Sequence, residues 1–162
     1  MGGTILVREA TSSDRGILWS FHRSLYVDHR NEVVPSAQLP LVSYQDYERV
    51  LRDDLDAILR DQDSVVLVAE REGSPVGYVT GRITVEPRRA LPKRGVVEDW
   101  FVEPGGRGAG IGRRLLEELE RRFAEAGCQV IESATWSNNQ AARRAHDALE
   151  FEEIRVLYRK KL

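Results

Sequence analysis

The chain is expected to fold as an α/β protein, with a mostly antiparallel central sheet flanked by helices. Three observations carry that expectation. Short β-rich segments are separated by turn residues, three amphipathic stretches carry apolar residues at helical spacing, and one glycine-rich loop leads from a strand directly into a helix. The expected order is β-α-α-β-β-β-α-β-α-β, with an antiparallel centre and one crossover around the glycine loop.

Thr4 to Glu9 reads as the first strand, and Thr11-Ser12-Ser13-Asp14 supplies capping residues before a helix bearing Ile17, Leu18, Phe21 and Leu25. Asp28 to Val42 is expected to be irregular because Pro35 and Pro40 interrupt it. Ser43 is placed to cap a second helix, in which Tyr47, Val50, Leu51, Leu55, Ile58 and Leu59 share one face. Ser64 to Glu70 and Val76 to Val85 are β-rich, and Glu72-Gly73-Ser74-Pro75 between them predicts a hairpin. After a loop from Pro87 to Arg94, Val96 to Val102 forms the third strand of the meander. A helix with Ile111, Leu115, Leu116, Leu119 and Phe123 follows, then a strand Val130 to Thr135, a short helix Asn139 to Leu149 and a last strand Phe151 to Arg159.

At 162 residues with no linker-like tract, the chain is expected to be one domain, 1–162. A formal charge of −2 argues against a nucleic-acid partner. Cys128 is the only cysteine, which precludes an internal disulfide and fits a reducing, cytoplasmic setting. No apolar run is long enough for a signal peptide or a membrane span, so no membrane partner is expected.

The stretch VEPGGRGAGIGRRLLEELERRF, Val102 to Phe123, concentrates five glycines between Gly105 and Gly112 at the start of a helix. The first turn of a helix has N–H groups without intrahelical acceptors and the positive end of the macrodipole, so it suits a phosphate. Glycine lets backbone approach such a ligand closely, and Arg107 and Arg113 can add charge from either end of the loop. A nucleotide-hydrolase loop requires Lys-Ser/Thr where Arg113-Arg114 stands. A dinucleotide G-x-G-x-x-G beginning at Gly108 and Gly110 meets Arg113 at its third glycine, and too little chain follows for a doubly wound sheet.

The sequence from Val102 to Gly112, with R-x-x-G-x-G at Arg107 to Gly112, resembles the coenzyme A pyrophosphate loop of the GNAT N-acetyltransferases. Val7-Arg8-Glu9-Ala10 with Asp14 is similar to that family's opening, Val68 to Gly77 to its hairpin, and Asn139-x-x-Ala142-x-x-x-His146-x-x-Leu149-x-Phe151 to its fourth-helix motif. The family often has Tyr where His146 stands and Gly where Glu150 stands, and its final hairpin is expected here to be reduced to one strand.

The resemblance implies acetyl-CoA as co-substrate and direct transfer to the nitrogen of a small-molecule amine. It places Glu98 as general base and His146 as a candidate general acid, the latter weighed against simple packing beside Ala142, Ala145 and Leu149. Alternation along the strand puts Glu98 on one face with Trp100 and Val102, away from Asp99. By the same resemblance, Trp100, Phe101 and Val102 pair through their backbone with the pantetheine arm, Arg107, Gly108, Ala109, Gly110, Ile111, Gly112 and Arg113 cradle the pyrophosphate, and Asn139 contacts the arm or caps its helix. His22 and His29 read as helix-surface and loop residues, and the three histidines lack metal-ligand spacing, so no metal is expected. Cys128 has no histidine near it in sequence, which argues against a covalent cysteine route.

Between Gln45 and Asp63, seven acidic residues face three arginines, which suggests a polycationic acceptor if that helix borders the acceptor cleft. A non-catalytic acyl-CoA-binding module and a protein N-terminal or lysine acetyltransferase are the competing readings. A homodimer is compatible with the sequence, which does not define the oligomeric state.

Overall fold

The computed structural model describes residues 3–162. Five strands form one sheet in the order β1-β2-β3-β4-β5: Ile5–Glu9, Ser64–Arg71, Ser74–Val85, Lys93–Val102 and Val130–Glu132. The first four pair antiparallel, as the alternation and the hairpin signal predict. The turn between β2 and β3 is tighter than expected. Arg71 pairs with Ser74, so only Glu72 and Gly73 turn the chain, both at positive φ. β5 lies parallel to β4 but only from Arg94↔Val130 to Val96↔Glu132, shorter than the strand predicted to reach Thr135.

Helix α1 (Arg15–Arg23) does not give way to an irregular segment. It continues through a π-helical stretch, Ser24–His29, into α2 (Arg30–Val33), and the chain leaves helix only before Pro35. α3 (Tyr47–Arg60) is capped by Asp46 rather than Ser43, the Asp46 carboxylate accepting from the Arg49 N–H at 3.4 Å. α4 (Ile111–Glu125) makes the crossover from β4 to β5, and α5 (Gln140–Ala148) follows β5.

The two sheet faces carry separate cores. On one, Leu115, Leu116, Leu119 and Phe123 of α4 pack on Leu67, Ala69, Val79 and Val97. Phe123 fills space left by two strand glycines, since a Cβ on Gly81 or Gly95 would stand 2.5 Å or 2.1 Å from its ring. On the other face, Leu18 and Phe21 of α1 and Leu55 of α3 cover Val68, Tyr78 and Phe101.

The strand expected from Phe151 to Arg159 is not formed: residues 151–162 have no regular secondary structure, and every residue after Phe151 is exposed. The segment is β-prone, but a strand forms only when paired, and among the described residues no strand pairs with it.

Candidate active site

β4 carries an irregularity that decides the site. Thr80 of β3 is opposite Asp99 and Gly81 is opposite Val97, which leaves Glu98 as an extra residue without a partner. Such a bulge interrupts strict alternation. Val97 packs with the α4 core, whereas Glu98 and Asp99 both line a cleft on the face of α1 and α3. Trp100 and Val102 return to the α4 side, and Phe101 lies in the other core. The expectation that Glu98 shares a face with Trp100 and Val102, away from Asp99, is therefore overturned by one extra residue in the strand.

The cleft, about 410 Å³, is lined by His22, Tyr26, Asp54, Ala57, Ile58, Arg82, Glu98 and Asp99. Asp99 is 1 % exposed. Its carboxylate accepts from the Tyr26 hydroxyl at 2.6 Å and the Thr80 hydroxyl at 3.1 Å, and its N–H donates to Thr80 Oγ1. His22 is buried, not on the helix surface as its position suggested. Its Nδ1 lies 3.0 Å from the Tyr78 hydroxyl and 3.4 Å from Asp99 Oδ2, and its Nε2 has no hydrogen-bond partner among the described residues. Burial is the main reason the Tyr26 phenol is held far above its ordinary range, with the Asp99 charge adding to it, so Tyr26 stays a proton donor.

Glu98 is less enclosed, its side chain 28 % exposed. Arg82 Nε stands 3.2 Å from Glu98 Oε1 and 3.5 Å from Asp61 Oδ2 without the alignment of a hydrogen bond to either. Burial pushes the Glu98 carboxyl up from the usual range, Arg82 pulls it back, and Asp99 and Asp61 add to the rise. A carboxyl so placed has a stronger basicity than an ordinary surface glutamate and remains open to a ligand.

Of the acidic run on α3, only Asp54 reaches the cleft. Asp46 and Asp53 pair with Arg49, and Asp56 takes the Arg15 guanidinium at 2.6 Å. Most of that negative charge therefore serves ion pairs on the helix surface.

The glycine loop lies at the end of β4. Gly108 and Gly110 have φ of +80° and +76°, a conformation that favours glycine, and the space beside their Cα atoms is open. Gly110 is the N-cap of α4 and supplies no capping side chain. The first bond of the ladder runs from Arg114 N–H to the Gly110 carbonyl at 3.1 Å, so the N–H groups of Ile111, Gly112 and Arg113 precede it. Arg107 borders the loop and donates through Nε to the Val102 carbonyl at 3.1 Å, and Ala109 is exposed at the turn. Ile111 is 1 % exposed in the α4 core, so only its backbone can face a ligand. Arg113 is exposed and bonded to Glu117 at 2.7 Å.

β5 leaves β4 after Val96, so from Val97 to Val102 β4 has β3 on one side, with Glu98 bulging out of the register, and among the described residues no strand on the other. An extended amide-bearing chain can add along such an edge. Phe101 offers only backbone there, because its side chain is in the core beside Phe21 at 5.5 Å. The Trp100 indole N–H donates to the Gly112 carbonyl at 3.0 Å and pins the loop to the strand. An uncapped helix N-terminus, a flanking arginine and a free strand edge together fit an acyl-CoA.

The edge of the Trp100 ring meets His146, centroids 5.6 Å apart. His146 Nδ1 lies 2.7 Å from the Ala142 carbonyl, which can only accept, so Nδ1 carries a proton. Nε2 is 2.7 Å from Ser133 Oγ. Asn139 does two things in this structure: its Oδ1 caps α5 through the Ala142 N–H at 3.1 Å, and its Nδ2 meets His29 Nε2 at 3.1 Å. His29 is thus not a loop residue but part of the π-helical stretch. Cys128 is half-buried, and burial raises its thiol, which disfavours a thiolate nucleophile. Among the described residues no helix is long and apolar enough to cross a membrane, and no group of three His, Cys, Asp or Glu is placed to hold a metal ion.

The chain matches the acetyltransferase (GNAT) family over residues 15–151. An aminoglycoside N(6')-acetyltransferase type 1 of Stenotrophomonas maltophilia is 31 % identical over 126 residues, spanning 75 % of this chain and 82 % of that protein. The solved structure of the aminoglycoside N-acetyltransferase AAC(6')-Iy in complex with CoA superposes with a TM-score of 0.77 at 21 % identity, covering 99 % of this chain and 97 % of that one. The tetramutant of BH1408 from Bacillus halodurans superposes with a TM-score of 0.82 at 20 % identity, covering 97 % and 99 % of the two chains. With the uncapped helix at the glycine loop and the divided β4–β5 edge in place, the chain belongs to the GNAT family of acetyltransferases and is an acetyl-CoA-dependent N-acetyltransferase.

Proposed function

We propose that this enzyme acetylates a small acceptor carrying more than one amine, with Glu98 as the general base. The observation that carries the proposal is the cleft in which Glu98, Asp99 and Asp54 gather on one face of the β4 bulge. Three carboxyl-bearing residues around one opening, with Arg82 the single arginine in the lining, favour a cationic ligand. The names of its aminoglycoside-acetylating relatives agree with that chemistry.

One ammonium of the acceptor is held by the acidic lining while Glu98 takes the proton from another, directly or through water, so that the free amine can attack the acetyl carbonyl. The backbone N–H groups on the open edge of β4 are suited to polarise that carbonyl, and those opening α4, with Arg107, to hold the pyrophosphate. His146 is suited to supply a proton to the departing thiolate through Nε2 and the Ser133 hydroxyl 2.7 Å from it, while the Ala142 carbonyl at Nδ1 holds the ring in place.

The test is released thiol and product mass with acetyl-CoA over a panel of aminoglycosides, polyamines, monoamines and a lysine peptide, at low and high salt. Polycations should give the highest kcat/KM, with KM rising as salt screens the cleft. Preference for monoamines or for the peptide, with no salt dependence, would overturn the acceptor class.

A further inference from the structure

Arg82 is the single arginine lining the cleft, and its contacts there are incomplete. On β3 it stands opposite Ser64 of β2 and Val96 of β4, beside the bulge that brings out Glu98. Its Nε is buried between Glu98 Oε1 at 3.2 Å and Asp61 Oδ2 at 3.5 Å and bonds to neither. The side chain as a whole is 41 % exposed, so packing does not lock it in place. A buried N–H left between two acceptors costs stability that alignment with either would recover.

The two carboxylates are not equivalent. Asp61, just past α3, accepts from the Asp63 N–H at 3.0 Å and the Ser64 hydroxyl at 3.1 Å, and these bonds, the first above all, hold its carboxyl below the usual range. Asp61 is therefore a fixed anion. Glu98 is raised by burial, and Arg82 is what pulls it back toward the ionised form. The other titratable groups that face Glu98 are Asp99 on its own strand, Asp54 of α3, and His22 and Tyr26 of the first helical segment, so Arg82 alone among them is an arginine or lysine. One guanidinium is thus shared by two carboxylates, and a second cation is wanting.

We propose that Arg82 is a positioning residue for Glu98: it keeps that carboxylate ionised in the free enzyme and shifts onto Asp61 when an ammonium of the acceptor takes its place. This rests on the acceptor reading above, in which a cationic amine enters beside Glu98. With the ammonium bound, each cation has its own carboxylate and the Arg82 Nε–H gains the bond it lacks. An acceptor that brings no positive charge leaves Arg82 where it is, so the same residue helps to select for cationic acceptors.

The pH dependence of kcat/KM in substituted enzymes tests this, with thermal melts to confirm that each variant folds. Arg82→Gln should move the acid limb governed by Glu98 to higher pH, and above that limb it should lower KM for a polyamine about 3-fold, since no resident cation competes with the acceptor. Asp61→Asn, which keeps an oxygen for the Asp63 N–H, should do the opposite: Arg82 settles on Glu98, the limb moves to lower pH and KM rises about 10-fold. In the double variant the Asp61→Asn effect on KM should largely vanish, because it acts through Arg82. Titration of the Glu98 carboxyl by carbon NMR in the ligand-free enzyme reads the same shifts without turnover. Identical titration of Glu98 in wild type, Arg82→Gln and Asp61→Asn would overturn the proposal, as would additive effects of the two substitutions on KM. Shifts seen by NMR together with an acid limb that survives Glu98→Gln would support the Arg82–Glu98 link and count against Glu98 as the base.

Discussion

The Asn139 side chain joins two helices that are far apart in sequence: its amide nitrogen donates to Nε2 of His29 across 3.1 Å while its oxygen caps α5. An amide NH₂ can only donate, so His29 must accept and must be neutral to do so. Burial and the nearby Arg107 charge lower its proton affinity, which favours that form. The π-helical stretch that bears His29 also bears Tyr26, the donor to Asp99 in the cleft. One helical segment thus touches both the acidic cleft and the helix that carries His146.

Asn139→Ala should lower stability by about 1 kcal/mol through loss of the cap. His29→Leu removes the bridge but keeps the cap, so it should leave the melting temperature nearly unchanged while raising KM for acetyl-CoA. Thermal melts paired with cofactor titrations separate the two, and equal loss of stability in both variants would argue against the bridge.

For His146, replacement by Phe removes the proton and the Ser133 bond but keeps the contacts with Trp100 and Phe151. Turnover should fall by roughly 10²-fold with acetyl-CoA affinity intact. Tyr at this position should restore part of the rate. Unchanged turnover in the Phe variant would reduce His146 to a packing residue.

The opening of the fold is tied by Arg8, whose guanidinium holds Asp14 at 2.8 and 2.9 Å and Glu70 at 2.9 and 2.5 Å. The bond from Arg8 keeps the largely buried Asp14 carboxyl well below the usual range. A depressed folded pKa contributes stability that is complete above the unfolded value of about 3.9 and is lost as pH falls toward the folded one. Arg8→Met should therefore cost about 2–3 kcal/mol at neutral pH, and its deficit relative to wild type should shrink on acidification below about pH 4. Urea melts across that range give the answer directly.

Glu150 follows α5 at φ 64°, with the Phe151 N–H returning to the His146 carbonyl at 3.0 Å. A helix that ends this way favours glycine at the left-handed residue. Glu150→Gly should raise stability by about 0.5–1 kcal/mol, measured as a shift in the urea midpoint at constant m.

Most strands and helices were legible in the sequence because their apolar periods survive tertiary packing, as in Leu115, Leu119 and Phe123 of α4. The glycine loop was legible for the same local reason: a helix start rich in glycine has few uses. Three features were not. The bulge at Glu98 is a mismatch between two strands, so β4 alone does not reveal it, and strict alternation put Glu98 on the wrong face. The burial of His22 depends on Tyr78 and Asp99, which are 56 and 77 residues away in sequence; its place one residue after the buried Phe21 was the only hint. The tail reads as a strand by composition, but whether a strand forms depends on pairing with another segment, which no local pattern shows.

The most direct test of Glu98 as the base is the pH dependence of kcat/KM in wild type and Glu98→Gln with a polyamine acceptor. Loss of the proton acceptor should cost roughly 10²-fold or more near neutral pH. The wild-type rate should fall on acidification through a carboxyl value above the ordinary glutamate range, as the burial of Glu98 requires, and that limb should be absent from the variant. At strongly alkaline pH solvent supplies the free amine, so the gap between the two enzymes should narrow. A deficit of constant size from neutral to alkaline pH, or an acid limb that persists in Glu98→Gln, would contradict the assignment.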